Sequence, residues 1–112
     1  MVKEIIFIIG GPGSGKGTQC QLLSQKYAYK HISVGEILRS EKKKDTQYAN
    51  LINNSLNNGQ IVPSSITTNL IINEINNCHH EVVLIDGYPR NLENLNCWNQ
   101  INKFKVHCRC IF

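Results

Sequence analysis

The sequence predicts an α/β fold in which helices cover both faces of a parallel sheet. Short apolar runs rich in β-branched residues alternate along the chain with amphipathic stretches, a pattern typical of β/α units. Two of these runs, Glu4 to Gly10 and Glu81 to Asp86, are continuously apolar at their centres, as buried parallel strands are. The 112 residues suffice for one compact domain.

The first strand is followed by a helix and a short extended piece. Glycines stop the strand at Gly10. A helix is predicted from about Gly15 to Tyr27, because Cys20, Leu23 and Tyr27 recur with helical spacing. The piece from His31 to Ser33 is then expected to be extended.

Two further helices are predicted after the extended piece. Ser33 and Glu36 have the spacing of a capping box, which predicts a helix that ends near Ser40. Asp45 can cap the next helix, and Gly59 has the place of a glycine just beyond a helix end. The second of these helices is expected to bury one apolar face, formed by Tyr48, Leu51, Ile52 and Leu56.

The second half of the chain is predicted to hold two helices and two strands. Pro63 and the serines after it begin a helix, and Glu81 to Asp86 is a strand. Asn91 can cap the last helix, and Val106 to Phe112 is interpreted as the last strand. The apolar faces of the two helices are formed by Ile66, Leu70, Ile71 and Ile75, and by Leu92, Leu95, Trp98 and Ile101.

Composition excludes several classes of protein. Hydrophobic residues make up 41% and charged residues 18%, so the chain is neither disordered nor of low complexity. The longest apolar run, Ile5 to Ile9, is too short for a membrane helix or for the core of a signal peptide. We therefore expect a soluble cytoplasmic protein with no membrane partner, whose 5 cysteines are free thiols.

Net charge and possible metal-ligating residues indicate the function less specifically. The net charge of +4 suits an anionic ligand. Lys42 to Lys44 form a dense basic cluster without interleaved aromatic residues, so we expect no nucleic-acid partner. Cys78 to His80 and His107 to Cys110 could be considered as zinc ligands. Neither segment has paired C-x₂-C spacing, so these cysteines are interpreted as core thiols.

The most informative segment runs from Gly10 to Thr18 and contains four glycines before Lys16. It follows a strand and opens a helix, which is the context that the P-loop motif requires. Glycines let backbone N–H groups converge on phosphate oxygens, and the helix N-terminus adds partial positive charge. Lys16 would reach the phosphates, and the Thr18 hydroxyl would lie near Mg²⁺. The general motif has Ser or Thr directly after the lysine, whereas here Gly17 intervenes.

The Gly-Lys-Gly-Thr form of this loop resembles that of the nucleoside monophosphate kinases, the adenylate kinase family. Three more segments match motifs of that family in order: Ser33 to Arg39, Gly59 to Pro63 and Leu84 to Asn91. The resemblance covers the whole chain. Within the family, Asn91 to Trp98 is similar to the pyrimidine-specific UMP-CMP kinases, because Asn94 stands where adenylate kinases typically have a Gln that reads adenine.

The resemblance implies a P-loop, three-layer α/β/α fold with ATP and Mg²⁺ as cofactors. Lys16, Arg39 and Arg90 are implied as the catalytic cations, and the two arginines would clamp the acceptor phosphate. Asp86 would orient Mg²⁺ through its water shell, with Thr18 close to the ion. ATP would be bound by Gly13, Ser14, Gly15, Lys16, Gly17 and Thr18. The acceptor nucleotide would be bound by Arg39, Gln60, Ile61, Val62, Gly87, Tyr88, Pro89, Arg90 and Asn94.

The implied activity is transfer of a phosphoryl group from ATP to UMP, CMP or dCMP, in the cytoplasm and also the nucleus. The core would comprise residues 1–33 and 81–112, with an acceptor-binding segment at 34–63 and a returning helix at 64–77. Family members continue into an arginine-bearing lid, a last strand and a last helix, so we expect a truncated chain with weak or no activity. We expect a monomer that binds small-molecule nucleotides, with dimerisation through the exposed sheet edge as an alternative.

Several alternatives remain open on the sequence alone. An adenylate kinase would accept AMP in place of a pyrimidine nucleotide, and a non-catalytic fragment would bind nucleotides without transferring a phosphoryl group. Asn94 and Arg39 could be solvated helix residues, and Asp86 could serve as a turn-forming residue before Gly87. A regulatory GTPase is disfavoured, because the chain has no Asn-Lys-x-Asp segment.

Overall fold

The computed structural model describes residues 4–10, 15–44, 46–60, 62–101 and 105–111, with the backbone alone for residue 16 and for 105–111. Helices and strands alternate through this part of the chain much as the sequence predicts. In order they are β1 (Glu4–Ile9), α1 (Lys16–Tyr27), β2 (Lys30–Ser33), α2 (Val34–Lys42), α3 (Gln47–Asn57), α4 (Ser64–Asn77), β3 (Val82–Asp86), α5 (Leu92–Ile101) and β4 (Lys105–Ile111).

The strands form one parallel sheet in the order β2-β3-β1-β4. In the pairing of β1 with β3, Ile8 lies opposite Asp86. In the pairing of β2 with β3, Ser33 lies opposite the same aspartate. Parallel neighbours need long crossover connections, which the helices between the strands supply. The predicted parallel sheet is therefore confirmed.

Helices cover both faces of this sheet. Successive side chains of a strand point to opposite faces, so Leu84 and Ile85 of β3 face different layers. On one face, Cys20 of α1 packs with Leu84. On the other face, α4 and α5 pack against Ile85 through a larger buried cluster that includes Ile71, Ile75 and Trp98. The three-layer α/β/α arrangement is confirmed.

The cap and the buried face of α3 differ from the sequence prediction. Asp45 lies outside the described residues, and the N-cap is Thr46, whose hydroxyl accepts a hydrogen bond of 3.0 Å from the Ala49 N–H. The same hydroxyl donates to the buried carboxylate of Glu41 at 3.0 Å. The expected apolar face was partly wrong, because Ile52 is buried while Leu51 and Leu56 are exposed.

The rotation of α5 also corrects the prediction. Leu92 was expected on the apolar face but is 70% exposed, whereas Trp98 and the polar Asn94 are buried. Positions two residues apart on a helix point roughly 200° apart, so an inward Asn94 turns Leu92 outward. The cap is as predicted, because Asn91 Oδ1 accepts from the Asn94 N–H at 2.8 Å.

Two further expectations concern the state of the cysteines and the presence of membrane-spanning helices. Cys20, Cys78 and Cys97 are reduced cysteines outside any disulfide, as predicted. The side chains of Cys108 and Cys110 lie outside the described residues. Within the part of the chain that the structure describes, no helix combines the length and apolar character that crossing a membrane requires.

The aromatic centre of the core gives a first prediction. Phe7 makes edge-to-face contacts with Trp98 and Tyr88, at centroid distances of 5.2 and 6.1 Å. We expect Phe7→Leu to lower the free energy of unfolding by about 1–3 kcal/mol, since each aromatic pair contributes about 0.5–1.5 kcal/mol beyond its buried area. Urea denaturation measures this. Leu92→Ala is the control and should change it by less than about 0.5 kcal/mol; equal losses would contradict the assignment of the core.

Candidate active site

The candidate site lies where β1 and β3 end side by side. After β3 the chain turns at Gly87, whose N–H donates 3.2 Å to the carbonyl oxygen of Ile8 at the end of β1. Gly87 has a φ of +85°, which favours glycine. In a parallel sheet this carboxyl edge collects the loops that follow each strand, and ligands bind there in open α/β sheets.

The start of α1 has no side-chain cap among the described residues. Its N-cap is Gly15, with a φ of +84° and no side-chain cap, and no acidic residue stands in the first turn. Among the residues that the structure describes, none lies within 4 Å of a Cβ placed on Gly15 or Gly17. Thr18 is exposed. Gly13 and Ser14, also expected to bind ATP, lie outside the described residues, as does the side chain of Lys16.

Asp86 is the buried carboxylate of this edge. It is 8% exposed and lies 3.4 Å from His31, measured from Asp86 Oδ2 to His31 Nε2. The next strand along the sheet therefore restricts the orientation of the carboxylate. A buried, oriented carboxylate at the carboxyl end of a strand fits the role of holding the water shell of Mg²⁺.

Arg90 is held by the loop that carries it. Its Nε donates to the carbonyl oxygen of Gly87 at 2.8 Å, and its backbone N–H donates to Asn94 Oδ1 at 3.0 Å. The side chain of Arg90 is itself exposed. The guanidinium therefore keeps further N–H donors for an anion while its position is fixed.

Asn94 is buried and its amide is partly used within the protein. In addition to accepting from Arg90, it donates from Nδ2 to Ser64 Oγ at 2.6 Å. The alternative of a solvated helix asparagine is therefore wrong. A primary amide has two donor hydrogens and two acceptor lone pairs, so one of each remains for a ligand.

Tyr88 connects the same loop to α4. Its hydroxyl donates to the backbone carbonyl of Asn94 at 2.9 Å and lies 2.6 Å from Thr68 Oγ1. Burial raises the pKa of this hydroxyl above its ordinary value, although the hydrogen bond with Thr68 offsets part of the rise. The loop after β3 is thus tied to α4 and to α5 by buried hydrogen bonds.

Arg39 lies on the exposed side of α2 and folds back along its own helix. Its Nη1 would be 3.1 Å from a Cβ placed on Gly35, one turn earlier. Long helical side chains point toward the N-terminus in this way, and the missing side chain at Gly35 leaves room for the guanidinium. The sequence motif that contains Arg39 therefore includes the residue that accommodates it.

A cavity of about 320 Å³ brings most of the expected acceptor-site residues together. Its walls come from α2, the end of α3, α4, the start of α5 and the loops after α3 and β3. Arg39 and Pro89 are absent from its described lining, and Ile61 lies outside the described residues. The expected residues that line it are Gln60, Val62, Gly87, Tyr88, Arg90 and Asn94.

Sequence reasoning missed the residues that position this site. The sequence indicates Ser64 only as part of a helix start and gives no sign of a role for Thr68. One feature of the sequence could have indicated them: two neighbouring threonines, Thr67 and Thr68, lie on the apolar face of α4. Both are buried. His31 was likewise seen only as part of a strand.

The raised pKa of Tyr88 predicts how stability depends on pH. The folded state holds the hydroxyl neutral, so its contribution is present below about pH 10 and is lost as pH rises through the folded pKa. We expect Tyr88→Phe to lower the free energy of unfolding by about 1–3 kcal/mol near neutral pH. We also expect the difference between wild type and variant to shrink above about pH 10, in urea denaturation across pH.

Tyr27→Phe is the control, because Tyr27 is 50% exposed. The free energy of unfolding of this variant should equal that of the wild type at every pH. A Tyr88→Phe difference that stays constant to high pH would contradict the coupling of the hydroxyl to folding.

Comparison with known proteins places this geometry in a family. The family model described as adenylate kinase matches residues 8–112. Curated UMP-CMP kinases from Bos taurus, Sus scrofa and Homo sapiens are 45%, 45% and 46% identical over 106 residues, which is 89% of this chain. The aligned part is 54% of each relative, so the chain spans about half the length of the curated relatives that it matches. The fold, the loop geometry and these matches together establish that the chain belongs to the adenylate kinase family.

Proposed function

We propose that this chain binds ATP and a pyrimidine nucleoside monophosphate for phosphoryl transfer, giving UDP, CDP or dCDP. The observation that carries the proposal is the cavity of about 320 Å³, into which residues of four separate sequence segments converge. Similarity to proteins named UMP-CMP kinase supports the choice of acceptor. Two nucleotides with repelling charges must be held in line, so catalysis in such a site depends on positioning and charge neutralisation.

The donor side of the proposed site is the start of α1. Gly13, Ser14, Gly15, Gly17 and Thr18 would surround the ATP phosphates, and Lys16 would supply a compact positive charge. Mg²⁺, when bound, would neutralise phosphate charge. Asp86 and the Thr18 hydroxyl are the groups of this chain that would hold its water shell. The burial of Asp86 and its contact with His31 keep the carboxylate in one orientation.

The acceptor side is formed by two arginines from different segments. Arg90 is fixed by the carbonyl of Gly87, which leaves the outer N–H groups of its guanidinium for the acceptor phosphate. Arg39, exposed on α2, would approach that phosphate from the other side after its side chain extends from Gly35. Two bidentate cations restrict both the position and the rotation of a phosphate.

The acceptor base would be read by Asn94. Its bonds to Ser64 and Arg90 fix which end of the amide is the donor, and one hydrogen of Nδ2 and one lone pair of Oδ1 remain unused by these bonds. A pyrimidine edge that pairs a donor with an acceptor complements this arrangement. Gln60, Ile61 and Val62 would contact the base from the opposite wall, and Gly87, Tyr88 and Pro89 would shape the loop side.

The first test of this proposal measures binding of CMP in calorimetry. We expect Arg39→Gln to raise the dissociation constant by about 10- to 100-fold, since charge-assisted hydrogen bonds contribute about 1.5–3 kcal/mol each. Lys42→Gln is the matched control, because it removes the same charge from an exposed position of the same helix. Equal weakening by the two variants would show an effect of net charge alone and would remove Arg39 from the site.

The second test concerns the base. We expect CMP and UMP to bind more tightly than AMP in parallel titrations, and Asn94→Gln to reduce that preference by moving the amide into the cavity. Asn96→Gln, at an exposed position of α5, should leave the preference unchanged. Thermal melting of each variant reports whether the protein remains folded. Tighter binding of AMP by the wild type would favour the adenylate kinase alternative.

A further inference from the structure

Three metal-ligating side chains from three different elements converge beneath the candidate phosphate site. Cys20 of α1, His31 of β2 and Asp86 of β3 each offer one ligand atom, and these atoms all lie within 4.8 Å of one another. Among the described residues this is the group of cysteine, histidine and acidic side chains that gathers closely enough to hold a metal ion. The segment Cys78 to His80, considered as a zinc site on sequence grounds, does not form such a group.

Sheet register explains why these side chains meet. His31 lies opposite Leu84 in the pairing of β2 with β3, and Asp86 is two residues after Leu84 on the same face. Cys20 packs with Leu84 from the helix above that face. Alternation along the strand therefore points the imidazole and the carboxylate toward the helix that carries the thiol.

The spacing of these atoms suits a tetrahedral metal better than a direct hydrogen bond. His31 Nε2 and Asp86 Oδ2 are 3.4 Å apart, which is longer than the usual 2.7–3.2 Å of an N–H···O bond. Ligand atoms about 2.0–2.2 Å from a tetrahedral zinc ion are separated by about 3.3–3.5 Å. The His31–Asp86 pair already has that separation. Cys20 Sγ would need to approach by at most about 1.2 Å, because a Zn–S bond of about 2.3 Å places the sulfur about 3.6 Å from the other ligand atoms.

The ligand types decide which metal fits. A thiolate, an imidazole and a carboxylate form a mixed set typical of zinc, whereas Mg²⁺ takes oxygen ligands and avoids sulfur. Burial favours such a site further, since Cys20 is fully buried and Asp86 nearly so. Core packing accounts for the burial of the thiol, and the imidazole and the carboxylate add two further ligand atoms beside it.

We propose that Cys20, His31 and Asp86 form a zinc-binding site with a fourth position open to water or to a phosphate oxygen. On binding, the ion forms bonds to sulfur, nitrogen and oxygen, and the thiol proton passes to solvent. The proposal rests on the geometry of these residues and stands independently of the proposed kinase function. Its consequence for that function is that an ion held by Asp86 competes with the Mg²⁺ that accompanies ATP.

The test is a titration of the full chain, without nucleotide, with Zn²⁺ and with Co²⁺ as a spectroscopic probe. We expect one cobalt ion per chain with a thiolate-to-cobalt absorption band in the near ultraviolet. Cys20→Ala should abolish the band and weaken zinc binding by more than about 100-fold, since even outer partners of metal ligands cost about 10- to 100-fold. If Cys20→Ala does not fold, His31→Ala is the substitute variant, because His31 is less buried. It should weaken zinc binding to a similar extent.

Cys78→Ala is the matched control, because it removes a partly buried cysteine beside two histidines. It should leave the cobalt band and the zinc affinity unchanged. Binding that is equal in wild type and Cys20→Ala, or a band that disappears with Cys78→Ala, would overturn the proposal.

A separate titration distinguishes this proposal from the kinase function. We expect saturating Zn²⁺ to weaken the binding of Mg²⁺–ATP to the wild-type chain by at least about tenfold, and to have no such effect on Cys20→Ala. If zinc binds through Cys20 but Mg²⁺–ATP binding is unaffected, the zinc site stands and the assignment of Asp86 to Mg²⁺ is wrong. If Mg²⁺–ATP fails to bind at all, the donor site is wrong, while the cobalt band still decides the zinc site.

Discussion

The parallel pairing of β1 with β3 positions the other parts of the candidate site. Because both strands are continuously apolar, each buries one side-chain row against α1 and the other against α4 and α5. That double burial fixes the register, since a slip of one residue would exchange the two rows. With the register fixed, Asp86 stands beside Ile8 near the carboxyl end of β1.

The loop after β3 depends on buried polar groups rather than on apolar packing. Asn94, Tyr88, Thr68 and Ser64 satisfy one another in a region where an unpaired donor or acceptor would be costly. The network orders the backbone around Arg90 while the guanidinium itself stays exposed. The bond from Arg90 Nε to the Gly87 carbonyl also holds the guanidinium in place, and a binding group that is already positioned loses less entropy when a ligand is bound.

Much of this fold could be predicted from the sequence, and the failures have physical causes. β1 and β3 are continuously apolar runs and α4 has a consistent helical periodicity, so the two strands and the buried face of α4 are predicted correctly. Leu92 was misplaced because hydrogen bonds of Asn94 set the rotation of α5. Contacts that join residues 30 and 55 positions apart, Ser64 with Asn94 and His31 with Asp86, leave no local pattern. The resemblance to family motifs indicated the candidate site residues. The residues that hold them in place could be identified only from the tertiary structure.

The double use of Asn94 has a consequence for how such a site can diverge in evolution. Any replacement at this position alters the acceptor cavity and, at the same time, removes a partner from buried Ser64 and from the Arg90 backbone. A replacement of Asn94 therefore carries a folding cost unless residue 64 changes as well. We expect these two positions to form an epistatic pair, in which the order of mutations decides whether an intermediate protein is stable enough to be selected.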